Sequence, residues 1–165
     1  MRKVYLFLFQ ALMALNLVCA TGCSKDDPSN ASVSDPDGIV TSNISENSSV
    51  QFYVNANYNG FVGWTEPNNF VLNDGWSYSY AAICDMGAKK GLGNITTIPK
   101  TGFTVPDRGN TSVACQKGHG YVVQFIDESY TGDTTYLRLY VVSSLVSTDG
   151  GVMGATVKYQ YPFVP

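Results

Sequence analysis

Thr135-Tyr136-Leu137-Arg138-Leu139-Tyr140-Val141-Val142 alternates without a break, placing Tyr136, Arg138, Tyr140 and Val142 on one face and Leu137, Leu139 and Val141 on the other. A period of two is the pattern of an extended strand, whereas a helix would bring residues three and four apart together. Asp149-Gly150-Gly151 supplies a turn, and Val152 to Tyr161 returns as a second strand ended by Pro162. Upstream, Tyr121-Val122-Val123-Gln124-Phe125-Ile126 follows the turn Lys117-Gly118-His119-Gly120, and Thr111 to Gln116 reads as a further strand.

The same period extends back to Val50. Val50 to Val54 and Phe61 to Trp64 are strand candidates, separated by Asn55, Asn57, Asn59 and Gly60. Trp76 to Cys84 follows the turn Asn73-Asp74-Gly75, and its first half alternates aromatic with serine, as a strand with one packed and one wet face does. Asp85 to Asn110 is rich in Gly and Pro; Ile95 and Ile98 can anchor it onto the core through a single helical turn. No segment offers three turns of amphipathic helix. The sequence predicts an all-β domain over 49–165, with six to seven antiparallel strands in a small SH3-like barrel or a two-layer sandwich. The bent Gly-rich connections favour the barrel.

The N-terminus has a different character. Arg2-Lys3 precedes an apolar run from Val4 to Ala20, too short for a comfortable membrane span and of the length of a secretory core. Ala20-Thr21-Gly22-Cys23 resembles a bacterial lipobox, so residues 1–22 are expected to leave as a signal peptide and Cys23 to carry the lipid. Each buried methylene of such an anchor contributes about 0.8 kcal/mol. Ser24-Lys25-Asp26-Asp27 resembles the export tag of surface lipoproteins of the Bacteroidetes. Residues 23–48 are polar and acidic, with Lys25 set against Asp26, Asp27, Asp35, Asp37 and Glu46, and are expected to be a flexible tether, with Ile39-Val40 as a place where pairing can begin before Ser49. Its root-mean-square reach would be roughly 25–30 Å.

The whole chain of 165 residues carries a formal net charge of −3. Its lysines are scattered, and phosphate recognition needs a concentrated basic face, so nucleic acid is excluded as an expected partner. The expected partner is the membrane, through the lipid.

Gly91-Leu92-Gly93-Asn94-Ile95-Thr96-Thr97-Ile98-Pro99, Gly118-His119-Gly120-Tyr121-Val122-Val123 and Gly154-Ala155-Thr156-Val157-Lys158-Tyr159-Gln160-Tyr161-Pro162-Phe163 together resemble a family of uncharacterised lipoproteins from Bacteroidales. The resemblance covers roughly Trp76 to Phe163. It implies a surface or periplasmic β-domain and brings no established activity with it.

Few residues offer chemistry. Cys84 and Cys115 are the domain's two cysteines; an exported setting permits a disulfide between them, the alternative being two buried thiols. His119 is the sole histidine, with Asp85, Asp107 or Asp127 as candidate orienting carboxylates, but no strand-to-helix serine elbow accompanies it. Its flanking glycines equally suit a plain turn. Asp127 and Glu128 are adjacent on a strand and so face opposite ways, unlike the carboxylates that flank a scissile glycosidic bond. No cofactor and no metal site is expected. Trp64 and Trp76, with Asn69 and Asp74 beside them, are the candidates for a ligand face, since an indole can stack on a sugar ring while amide and carboxylate groups fix its hydroxyls. Filling the ends of a small core is the reading that suits each indole better. The expected function is a non-enzymatic surface module, anchored to the outer membrane, that binds a glycan or an envelope or extracellular protein. The alternative is an accessory envelope lipoprotein without its own ligand, with a hydrolase third.

Overall fold

Leu137, Leu139 and Val141 lie at the centre of the longest strand and are fully buried between two sheets. The structure, a computed structural model, describes residues 35–72, 79–106, 112–128 and 132–165. The chain from Ser32 to Pro165 is one compact unit; a second unit, Met1–Ala31, lies outside the described residues. The described strands run β1 (Val40–Ser45), β2 (Val50–Asn55), β3 (Tyr58–Thr65), β4 (Asn69–Leu72), β5 (Ser79–Ala88), β6 (His119–Asp127), β7 (Asp133–Val146) and β8 (Val152–Gln160).

They form a five-stranded sheet in the order β1-β8-β7-β6-β5 and a three-stranded sheet in the order β2-β3-β4. All named pairings are antiparallel. The inward positions of both sheets meet in one core containing Ile44, Phe52, Val62, Trp64, Phe70, Ile83, Tyr121, Phe125, Leu139 and Val157. Burying each large apolar side chain there contributes about 1.5–3 kcal/mol relative to exposure. Aromatic edges lock the layers together: Phe70 meets Tyr121 at 4.8 Å between ring centroids, and Phe52 meets Phe125 at 5.6 Å.

The outer face of the larger sheet carries a second, smaller cluster. Leu92, Ile95, Val122 and Phe163 pack there with Tyr136 and Tyr140, so the two faces of β7 are used as its alternation requires. One 3-10 turn (Leu92–Asn94) brings the Gly-rich segment onto this face, with Ile95 as its anchor. Arg138, only 8% exposed, pins the segment from below. Its Nη1 donates to the Ile95 carbonyl at 2.7 Å, its Nε donates to Gln160 Oε1 at 2.8 Å, and the guanidinium lies 4.8 Å from the Phe163 ring centroid.

The all-β fold is as expected, with the sandwich, one of the two expected architectures, present in place of the favoured barrel, and three details differ. The architecture is a sandwich, because β1 and β5 remain separate edges of an open sheet and no closed barrel forms. There are eight described strands, since Phe70-Val71-Leu72 forms β4 and Val40–Ser45 forms β1. Part of the stretch expected to be tether thus belongs to the sheet: β1 pairs along its full length with β8, Ile44 is fully buried, and Lys158 forms an ion pair with Asp35. Finally, the strand expected at Thr111 to Gln116 is a connection whose described part makes a single bridge, between Ala114 and Asn69.

Two described stretches, 101–106 and 112–118, lie along strand edges. Thr104 exchanges backbone hydrogen bonds of 2.8 and 2.9 Å with Ile83 on the edge strand β5. Further along, the Phe70 amide donates to the Val113 carbonyl and the Cys115 amide to the Asn68 carbonyl, each at 2.9 Å, covering the edge of β4. Two edges that could template foreign pairing are thus partly satisfied. Among the described residues no helix is long and apolar enough to cross a membrane.

Candidate functional site

Alternation along β3 decides which side chains face the solvent. Val62 and Trp64 point into the core, so Phe61, Gly63 and Thr65 point outward, and Val71 stands opposite Gly63 on β4. The β1–β2 turn rises beside them, held by reciprocal backbone hydrogen bonds between Ser45 and Ser48 of 2.8 and 3.1 Å. Between turn and sheet lies an open cleft of about 520 Å³ lined by Ser45–Ser49, Phe61, Gly63, Trp64, Thr65 and Val71. This volume is within the roughly 300–1,000 Å³ typical of small-ligand clefts.

Gly63 leaves the floor open. A Cβ there would sit 3.5 Å from Ser49 Cβ, 3.8 Å from the Val71 carbonyl oxygen and 3.9 Å from Phe61 Cε2, so a side chain at 63 fits at ordinary contact distance and occupies the cleft. Glu46 brings the cleft's single charge. On the same outer face lie Gln51 and Tyr53 of β2, Asn59 of β3 and Asn69 of β4. Tyr53 is 68% exposed, unusually open for an aromatic ring on a sheet.

The sequence candidates are distributed differently. Trp64 is 3% exposed and belongs to the core, the favoured of its two readings, and so is no stacking platform. Its Nε1 donates to Asn68 Oδ1 at 2.8 Å, and Asn68 Nδ2 in turn donates to the Cys115 carbonyl at 2.8 Å. Asn69 does lie on the outer face, half-buried at the start of β4. Trp76, Asp74 and the lipidation candidate Cys23 lie outside the described residues.

Cys84 and Cys115 are separate buried thiols, correcting the expected disulfide. Parity on β5 explains it. Ala81 and Ile83 point into the core that holds Cys115, whereas Cys84 points to the opposite face, where its Sγ lies near the Thr101 carbonyl and beneath Gly102. Burial pushes the Cys115 thiol up to about 12, and burial followed by the field of Asp85 raises that of Cys84. Thiols so shifted are poor nucleophiles at neutral pH.

His119 does find a carboxylate. Its Nδ1 lies 3.1 Å from both carboxylate oxygens of Asp85, whose Oδ1 also accepts the Gly87 amide at 2.7 Å across the β5 bulge. Among the described residues no serine, threonine or cysteine side chain hydrogen-bonds the ring. Asp127 is fully buried, accepting from Asn55 Nδ2 at 2.6 Å and Ser79 Oγ at 2.9 Å, while Glu128 is exposed, as their adjacency requires. Among the described residues no three His, Cys, Asp or Glu side chains converge as a metal site needs.

Tyr53, Phe61 and Gly63 escaped the sequence reading. The signal was available: the parity that places Phe52 and Trp64 inside puts these three outside. No family model, no curated protein and no solved structure matches the chain.

Proposed function

We propose that the protein is a lipoprotein held at the outer membrane through Cys23, facing the cell surface, with its sandwich acting as a non-enzymatic binding module for a glycan or for an envelope or extracellular protein. One observation carries the binding role: the outer face of the small sheet presents a cleft of about 520 Å³ beside an exposed tyrosine. The address rests on the lipobox-like run before Cys23 and on the resemblance to Bacteroidales lipoproteins. The non-enzymatic character is supported by two buried thiols of raised pKa and by a histidine whose side-chain hydrogen-bond partner among the described residues is the Asp85 carboxylate.

Burial of Trp64 favours the second reading, an accessory lipoprotein without its own ligand, and the cleft favours the first. Metabolic labelling with an alkyne fatty acid, comparing the wild type with Cys23→Ala, tests the anchor: label on the wild type alone is expected. Capture of the tagged protein from intact cells after mild cross-linking tests the module. One specific partner, lost with Cys23→Ala, is expected; a surface-exposed protein that captures nothing would leave the accessory reading.

A further inference from the structure

The outer face of the three-stranded sheet combines aromatic rings with amides. Its aromatic side chains are Tyr53 and Phe61, its polar ones Gln51, Asn59, Thr65 and Asn69, and no charged residue stands at any outward position of β2, β3 or β4. Register places Gln51 opposite Phe61 and Tyr53 opposite Asn59, so the two rings are diagonal neighbours on adjacent strands. Each ring thus has an amide directly across from it. Amides both donate and accept, and they discriminate neither sign of charge.

We propose that this face, with the Gly63 cleft at its head, binds a neutral oligosaccharide, an assignment that rests on the binding-module reading and names its ligand class. A pyranose is amphipathic in the complementary way, with an apolar C–H face and a rim of hydroxyls. Phe61 offers the surface on which such a face stacks, and Gly63 beside it leaves room for the ring edge to sink below the level of a side chain. Ser48 Oγ donates to the Asn43 carbonyl at 3.2 Å, which leaves its lone pairs for a sugar hydroxyl. Glu46 is acceptor-only when ionised and suits hydroxyl donors. Tyr53, a diagonal step away, supplies a second platform, so the ligand is longer than one ring.

Charge decides against the other polar ligands. Among the described residues a phosphate, a sulfated glycan or a uronic acid polymer would meet no cation at the outward positions of these strands or in the cleft lining, and one carboxylate at the edge. An apolar peptide helix would need a continuous hydrophobic groove, and here amides and hydroxyls interrupt Phe61, Val71 and Tyr53.

The test is calorimetric titration of the full chain in detergent with hexamers of glucose, xylose and mannose, and with polygalacturonate as the anionic control. Binding of at least one neutral hexamer and none of polygalacturonate is expected. Phe61→Ala and Tyr53→Ala should each weaken it about tenfold or more. Tyr53 is exposed enough that its removal leaves folding intact, and Gly63→Leu, checked by an unchanged thermal midpoint, should abolish binding by filling the cleft. Neutral-sugar binding indifferent to all three variants would overturn the assignment. So would a wild type that binds no hexamer but captures a surface protein through the same face, an outcome that spares the binding module. Failure of both titration and capture would overturn the module as well.

Discussion

Two tyrosine hydroxyls show how much a partner decides. Tyr121 Oη donates to the Ala114 carbonyl at 2.8 Å and accepts the Gln116 amide at 3.0 Å, fastening the edge-covering connection to the core. Tyr58 Oη is buried with no partner among the described residues, and burial, then the nearby Asp127, raises its pKa. Tyr121→Phe should therefore cost about 1–3 kcal/mol by stranding a carbonyl and an amide, while Tyr58→Phe should be neutral or stabilising. Urea unfolding of the two variants checks the contrast. The thiols add a pH signature. In the unfolded chain a cysteine ionises near 9, whereas folded Cys115 holds its proton to about 12. The unfolded state thus binds fewer protons between those values, so stability is intact below pH 9 and falls above it. The slope from Cys115 approaches 1.4 kcal/mol per pH unit, and Tyr58, Tyr121 and Cys84 act in the same direction. Alkylation of the native protein at pH 8 should leave both thiols unmodified, and denaturation should expose both. A mobility shift on reduction would instead restore the disulfide.

At the level of elements, Arg138 couples the large sheet to the segment that covers its outer face. Replacing it with Met keeps much of the packing and removes donation to the Ile95 carbonyl and to Gln160. A loss of about 1.5–3 kcal/mol is expected, with amide exchange accelerating most over residues 92–104. Uniform acceleration would mean that the segment does not depend on this side chain. The strands themselves were legible to the extent that their alternation was. β6, β7 and β8 have long runs of apolar residues at period two, and the sequence places them well. β1 showed in the sequence only at Ile39-Val40, because Ile44 alone of Val40–Ser45 is fully buried and the residues around it are mainly polar. Its place is set by pairing with β8, a contact over a hundred residues away in sequence and invisible to a local pattern. β4 was hidden by its four-residue length and by Pro67 and two asparagines ahead of it.

For the molecule as a whole, the sequence limits the fold to antiparallel β but cannot choose between barrel and sandwich, since that depends on which edges pair. Here Thr104 pairs with Ile83 on β5 and Val113 with Phe70 on β4, and the two sheets stay separate. The candidate site was legible in kind and displaced in position. Aromatic rings beside amides were anticipated, yet one step of parity exchanges buried Trp64 for outward Phe61, and Asn69 alone of the described candidates stays on the face. The same parity separates Cys84 from Cys115. If the outer face of the small sheet is where the protein meets its partner, contact should be local. A photo-crosslinking residue placed at Tyr53, 68% exposed, and another at Val164, 82% exposed on the C-terminal tail, can be compared on intact producing cells. A discrete adduct from position 53 and none from 164 is expected. Equal labelling from both positions, or labelling from 164 alone, would show that the small sheet's outer face is not the binding surface.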